Sequence, residues 1–326
     1  MKGLKERILN DVAQDLTAIE KALVENLKPY LPFVTHVANY IMFSGGKRIR
    51  PLLMVLSARL CGYQGDYDKR LSVVFEYLHA ATLIHDDVVD GAEVRRGNPV
   101  AHSIWGAPGA VLVGDFLLAR SIAIAAETDR IAIIDVLART TAEMSEGEIQ
   151  QLLHRGDLDL DEGQYMEVIR RKTACLIQTA CQSGALLAGA PEDQVQAMAQ
   201  YGYNLGVAFQ LVDDLLDYTA DAGILGKATG ADLREGKLTL PLIYALNRAG
   251  KEGRLLMETV IQNEDIAGKK FDAVLDLVNE YGGIAYTRKR AQEHIDKAKA
   301  YLDMFEASKT RTLLEDVADY VVAREM

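Results

Sequence analysis

PEDQVQAMAQYGYNLGVAFQLVDDLLDY, residues 191–218, decides the fold class. Apolar residues return every three or four positions along it, with no alternation of period two, so it reads as one long helix. Pro191 suits a first helical position, where its missing N–H costs little. At 1.5 Å per residue such a helix would span about 42 Å, a length that fits the centre of a large bundle. The same periodicity fills RIAIIDVLARTTAEMSEGEIQQLLHR, residues 130–155, and nearly every other long segment. Breaks fall at 62–69, 91–99, 155–163 and 220–237, and none is a Pro/Ser-rich linker. The expectation is an all-α protein, one many-helix domain over residues 1–326. A two-domain split near 155–163 is the alternative, although that loop is short for a free linker.

Composition narrows the function. The 326 residues are 49% hydrophobic and 25% charged, as in ordinary soluble globular proteins. Aromatics make up 7%, so aliphatic side chains must fill most of the core. A net charge of −11 disfavours a nucleic-acid partner, because phosphate backbones are held by cationic surfaces. The three cysteines, Cys61, Cys175 and Cys181, show no metal-ligand spacing and read as reduced thiols of a cytoplasmic protein. The N-terminus lacks the apolar core of a signal peptide. The most apolar run, AVLVGDFLLARSIAIAA at 110–126, carries Asp115 and Arg120 and reads as a buried helix.

Inside the long helix, Asp213, Asp214 and Asp217 form DDLLD, and the pattern has a counterpart at Asp86, Asp87 and Asp90 in LIHDDVVD. On a helix, positions i and i+4 share a face, so Asp86 and Asp90 converge while Asp87 flanks them. Like charges at that spacing repel unless a cation bridges them, and hard oxygen ligands favour Mg2+. One such cluster could be a solvated acidic turn. Two, each set into an apolar helical face, argue for compensated charges. Two such helices facing one another would make a carboxylate-walled, metal-loaded cavity. Basic residues bracket them: Lys47, Arg48 and Arg50 in SGGKRIRP, Arg95 and Arg96 after the first motif, Lys172 beside Thr173, then Lys227 and Lys237. Alternating carboxylates and cations suggest two phosphorylated ligands, one held through metal and one held directly.

GGKRIRP, LIHDDVVD followed by RRG, KTA, and FQLVDDLLD followed by Lys227 and Lys237 together resemble the trans-isoprenyl (polyprenyl) diphosphate synthase family. The resemblance runs from about residue 44 to 241 in order and spacing, with Arg324 in YVVAREM family-like at the C-terminus. It implies a helical bundle of the isoprenoid synthase type with a central cavity. It also implies about three Mg2+ ions on an allylic diphosphate, held by Asp86, Asp87, Asp90, Asp213 and Asp217. Arg95, Lys172, Lys227 and Lys237 would contact that diphosphate, and Lys47, Arg50, His79 and Arg96 would hold isopentenyl diphosphate. Thr173 and Gln210 would face the carbocation formed when diphosphate leaves. The implied protein is a cytoplasmic homodimer, with peripheral membrane contact for product release.

Chain length is read from the helix leading into the first motif. The positions pointing down from the aspartates are Thr82 and Ala81, then Leu78, then Phe75, the last about 16 Å away by helical rise. Short-chain members of the family usually place bulky aromatics near this point, whereas Ala81 and Thr82 are small. The expectation is a long-chain polyprenyl product, centred on octaprenyl, of the kind used for quinone side chains. The alternative is that another helix supplies the floor and Ala81 merely packs. Competing functions are a geranylgeranyl or farnesyl synthase, the catalytic subunit of a heteromeric heptaprenyl synthase, and a non-catalytic subunit that binds prenyl diphosphates. His85 beside Asp86 could suggest a His-Asp phosphohydrolase, but six histidines in all give no ligand spacing for one. Trp105, His102 and the acidic loop 157–162 read as packing or solvated surface, and Asp115 as a helix–helix hydrogen bond.

Overall fold

The computed structural model describes residues 2–95, 97–219, 230–263 and 270–324. The protein is 79% helical, and the sheet among the described residues is one two-stranded hairpin, so the all-α reading holds. In order come α1 (Lys2–Leu27), α2 (Pro32–Met42), α3 (Ile49–Leu60) and α4 (Tyr67–Val89), then the hairpin β1 (Val94–Arg95) and β2 (Asn98–Pro99). Next are α5 (Ala101–Trp105), α6 (Ala107–Ala126), α7 (Ile131–Leu153), α8 (Glu162–Ile169), a π-helical turn at Arg170–Ala174, α9 (Cys175–Ala188) and α10 (Glu192–Thr219). The chain closes with shorter helices and two longer ones, Gly283–Leu302 and Lys309–Ala323.

The opening stretch of sequence is α10, which packs against α9, the π turn and the helix Gly283–Leu302. Glu192 and Asp193 occupy its first turn, where carboxylates complement the positive end of the helix dipole. A Cβ on Gly206 would stand 2.7 Å from the Ala174 Cα, so the missing side chain lets α10 and the π turn touch backbone to backbone. That contact brings Gln210, one helical turn on, beside Thr173. The π turn widens the helix locally, a geometry found frequently at functional sites. Here Arg170 and Arg171 reach Glu143, Glu146 and Glu167, whereas Lys172 and Thr173 turn into the bundle.

Helix α6 departs from its expected burial. One face packs on α4 through Ala110, Val113, Leu117 and Ile124, but Leu112 and Ile122 remain 66% and 47% exposed. By length and composition the helix could cross a membrane, yet Arg120 Nε donates to the Asn26 carbonyl at 2.6 Å, anchoring it to α1. A helix apolar all round is expected to be buried all round. Nothing among the described residues covers its outer face.

A buried histidine ties the helix Gly283–Leu302 to α10. His294 is 5% exposed, with Nδ1 2.9 Å from Asn204 Oδ1. Burial lowers its pKa to about 4, with Lys297 and Arg290 adding to the effect. The fold therefore prefers neutral imidazole. This contribution is complete above the unfolded pKa near 6.5 and is lost as pH falls towards 4, up to about 3 kcal/mol in all. Denaturant unfolding of His294→Gln, which keeps a polar group there but cannot charge, is expected to lose less stability than wild type between pH 7 and 4.5. Equal losses would contradict this account.

Candidate active site

A cavity of about 930 Å3 opens between α2–α4, α7, the π turn and α10, at the upper end for small-molecule sites. Its walls bring together Asp86, Asp90 and Asp213 with Lys47, Arg50, His79, Arg95, Lys172, Thr173, Gln210 and Lys237. Arg96 and Lys227 lie outside the described residues. Asp87 and Asp217 are not on the wall. Asp87 is buried and accepts from Arg95 Nε at 2.7 Å. Asp217 spends both oxygens on backbone, accepting from the amides of Ala231 and Asp232 at 3.1 and 3.0 Å. It thereby fastens the first turn of the short helix Ala231–Arg234 to α10.

The aspartates facing the cavity are held by protein cations. Asp90, at the C-terminal end of α4, pairs with Arg155 and has Lys237 Nζ 3.7 Å from its other oxygen. Lys172 lies 3.9 Å from Asp86, pairs with Glu148 and donates to Gln151 Oε1 at 2.6 Å. Arg324, stacked 4.0 Å over the Phe209 ring, pairs with Asp213 at 3.0 Å. Asp214 is buried and accepts from Tyr165 Oη and, at 2.7 Å, from Gln210 Nε2. The Gln210 carbonyl oxygen accepts from the Thr173 hydroxyl at 2.8 Å.

Crowding strains the acids electrostatically. Burial pushes Asp86 up to about 6; Glu148 and Asp90 add to the rise, and Lys172 and Arg95 oppose it. Burial also raises Asp213, against the pull of Arg324, Lys47 and Arg50. Asp214 lies well above the usual carboxylate range because of burial, with Asp232 adding. Among the described residues no three His, Cys or acidic side chains are grouped to hold a metal by themselves. Mg2+ needs no such cage, since it usually takes one or two carboxylates and completes its octahedron with phosphate and water. Desolvated, mutually repelling oxygen donors on facing helices fit that ion.

Basic residues of one motif have separate fates. Arg48 is 5% exposed and turned away from α3 by a left-handed backbone, φ +50°. Its guanidinium donates to Glu76 Oε1 at 2.6 Å and to the Met42 carbonyl at 2.7 Å. Strained, over-determined backbone of this kind is common at ligand clamps. Lys47 and Arg50 border the cavity, and Arg48 and Glu76 border it as an ion pair closed on itself. His85 packs against α6, where its Nε2 lies 3.2 Å from the Val111 carbonyl and 3.5 Å from Asp115, and a Cβ on Gly114 would meet it at 2.3 Å. The two puzzling residues thus form one helix–helix contact.

Several residues of the site carried no sequence signal of their own: Glu148, Gln151 and Tyr165 on the wall, and Arg155 paired with Asp90, look like the polar faces of amphipathic segments. A hint existed for the first two. Gly147 lies within α7, and a Cβ there would meet the Lys172 amide nitrogen at 2.8 Å, so the two backbones touch and Glu148 comes to that lysine. Loop 157–162, expected to be solvated, is also organised. Asp157 holds His154 at 2.8 Å, and Asp161 caps α8 in a reciprocal capping box with Gln164.

Below the aspartates, Thr82, Ala81 and Leu78 line the cavity on α4, opposite apolar side chains that include Leu118, Met144 and Ile149. Phe75 is fully buried in the core and is not part of the wall. On α4 the lining runs down through Leu78 to Glu76, so it reaches the depth expected of Phe75 while the Phe75 ring itself turns into the core.

The profile of the family described as "Polyprenyl synthetase" matches residues 32–278. The octaprenyl diphosphate synthase of Escherichia coli (strain K12) is 38% identical over 320 residues, covering 98% of this chain and 99% of that protein. Two crystal structures superpose closely. A polyprenyl synthase from Caulobacter crescentus CB15, complexed with calcium and isoprenyl diphosphate, has a TM-score of 0.93 at 39% identity, covering 98% of both chains. A decaprenyl diphosphate synthase from Rhodobacter capsulatus has a TM-score of 0.92 at 39% identity, covering 98% of this chain and 99% of that one. Matching motifs, near-complete coverage and a shared helical architecture lead to one conclusion: this chain belongs to the polyprenyl synthetase family.

Proposed function

We propose that the chain is a long-chain trans-polyprenyl diphosphate synthase, with octaprenyl diphosphate as its product. It would condense isopentenyl diphosphate with an allylic diphosphate and release diphosphate. The observation that carries this reading is one cavity lined by carboxylates from α4 and α10, by several lysines and arginines, and by small and aliphatic residues of α4 and α7. A divalent cation, Mg2+ at about three ions per site, would supply charge neutralisation of the departing diphosphate.

The chain's own residues position both substrates. Asp86, Asp90 and Asp213 would hold metal, and Asp87, bonded to Arg95, and Asp217, bonded to two backbone amides, would join through lone pairs those donors leave unused. Arg95, Lys172 and Lys237, with Lys227, would bind the allylic diphosphate once metal has taken over the carboxylates they now neutralise. Lys47, Arg50 and His79, with Arg96, would bind isopentenyl diphosphate and bring its double bond to the allylic carbon, removing most of the entropic barrier. Thr173 and Gln210 would present oxygen dipoles to the allylic cation, stabilising charge that exists only after ionisation. The final proton would leave with diphosphate. The exposed apolar face of α6 supports a homodimer, and the three free cysteines are compatible with a cytoplasmic protein that meets membrane to release product.

Diphosphate release by the purified chain is expected to require both substrates and a divalent cation, and to stop with EDTA. Release that persists with the allylic substrate alone at an equal rate, or in EDTA, would contradict this function.

A further inference from the structure

Three hydrogen bonds run in series from the protein interior to the place where the cation would form. Tyr165 on α8 is 4% exposed and donates its hydroxyl to one oxygen of Asp214, itself 4% exposed. The other Asp214 oxygen accepts from Gln210 Nε2 at 2.7 Å. With its nitrogen committed there, the Gln210 amide turns its carbonyl to Thr173, whose hydroxyl donates to it at 2.8 Å. A hydroxyl has one proton. Thr173 spends that proton on Gln210 and can offer the cavity only oxygen lone pairs. If the amide were reversed, its N–H would compete for those lone pairs.

We propose that Tyr165 and Asp214 are positioning residues that fix the direction of this hydrogen-bond series, so that Thr173 faces the reacting carbon as an acceptor only. The inference rests on the functional reading above and adds two residues to it. Asp214 then differs in role from its neighbour Asp213: both border the cavity, but Asp213 is the more exposed and pairs with Arg324, whereas both oxygens of Asp214 accept from Tyr165 and Gln210. The second acidic motif thus combines a metal-facing carboxylate with one that orients an amide. Tyr165 supplies the donor that keeps the carboxyl group from rotating away from Gln210. Because Thr173 would interact with charge that appears after ionisation, disorder in the series is expected to lower kcat rather than raise KM.

A double-mutant cycle tests this. Tyr165→Phe removes a single oxygen and is expected to lower kcat about tenfold with both KM values within about twofold. In a Thr173→Val background, the same change is expected to alter kcat by less than about twofold, because the residue it acts through is gone. Asp214→Asn, which also breaks the series, is expected to give the same non-additivity and serves if Tyr165→Phe does not fold. Additive losses in both cycles, an unchanged kcat in the single variants, or losses confined to KM would overturn the proposal. A wild-type chain that forms no prenyl product overturns the functional reading itself. An active wild type with additive variants overturns the relay alone.

Discussion

Asp86→Asn is expected to make the metal-free protein more stable and the enzyme slower by about a thousandfold or more. The two effects have one origin. Burial raises Asp86 from the ordinary carboxylate value of 3.8 to about 6, so its charge is unwelcome in the fold. For an acid with a raised pKa the penalty is absent below the unfolded pKa and complete above the folded one. At pH 7.5 it amounts to up to about 3 kcal/mol. A neutral amide of the same shape removes it. Activity moves the other way, because loss of one electrostatic partner at a transition state commonly costs about 10²–10³, and loss of a metal ligand more. Urea unfolding in EDTA beside turnover in Mg2+ reads both. Lower stability with full activity would show Asp86 to be a structural acid.

Ala81→Phe is expected to shorten the product from a long polyprenyl chain to farnesyl or geranylgeranyl length. Ala81 lies five residues before Asp86, about 7.5 Å down the helix axis, and lines the cavity. An isoprene unit adds four chain bonds, roughly 5 Å when extended by the geometry that gives a three-bond residue 3.3–3.6 Å. A phenyl ring at that depth therefore meets the growing chain after a few units. The first condensations, which occur above it, are expected to keep rates close to wild type. Phe75 supplies the contrast: it lies in the core, and Phe75→Ala should cost about 3–5 kcal/mol of stability while the product stays long. An unchanged product from Ala81→Phe would mean that another helix forms the floor.

The two acidic motifs were legible because charge interrupts an apolar helical face, a pattern that packing physics does not tolerate without compensation. Which aspartate does what was not legible. Asp213 and Asp217 sit one turn apart on the same helix, yet one borders the cavity and the other is claimed by amides at the start of a short helix fourteen and fifteen residues later. Such partners are set by the path of the chain between them, which local periodicity does not encode. The same limit divides Lys47, Arg48 and Arg50: with a left-handed backbone at Arg48, Lys47 and Arg50 border the cavity while the guanidinium between them is taken by Glu76. Tyr165 was invisible because a tyrosine on a short amphipathic helix reads as packing until its hydroxyl is seen against Asp214. The breadth of α6 misled in the other direction, since an evenly apolar helix does not say whether its second face meets this chain or another.

The most direct test is the length of the product made by the purified chain alone from farnesyl diphosphate, excess isopentenyl diphosphate and Mg2+. Reversed-phase separation after phosphatase treatment is expected to show a ladder of all-trans polyprenols ending at a single long species, octaprenol. A series that stops at geranylgeraniol, or a chain inactive until a second protein is added, would contradict it.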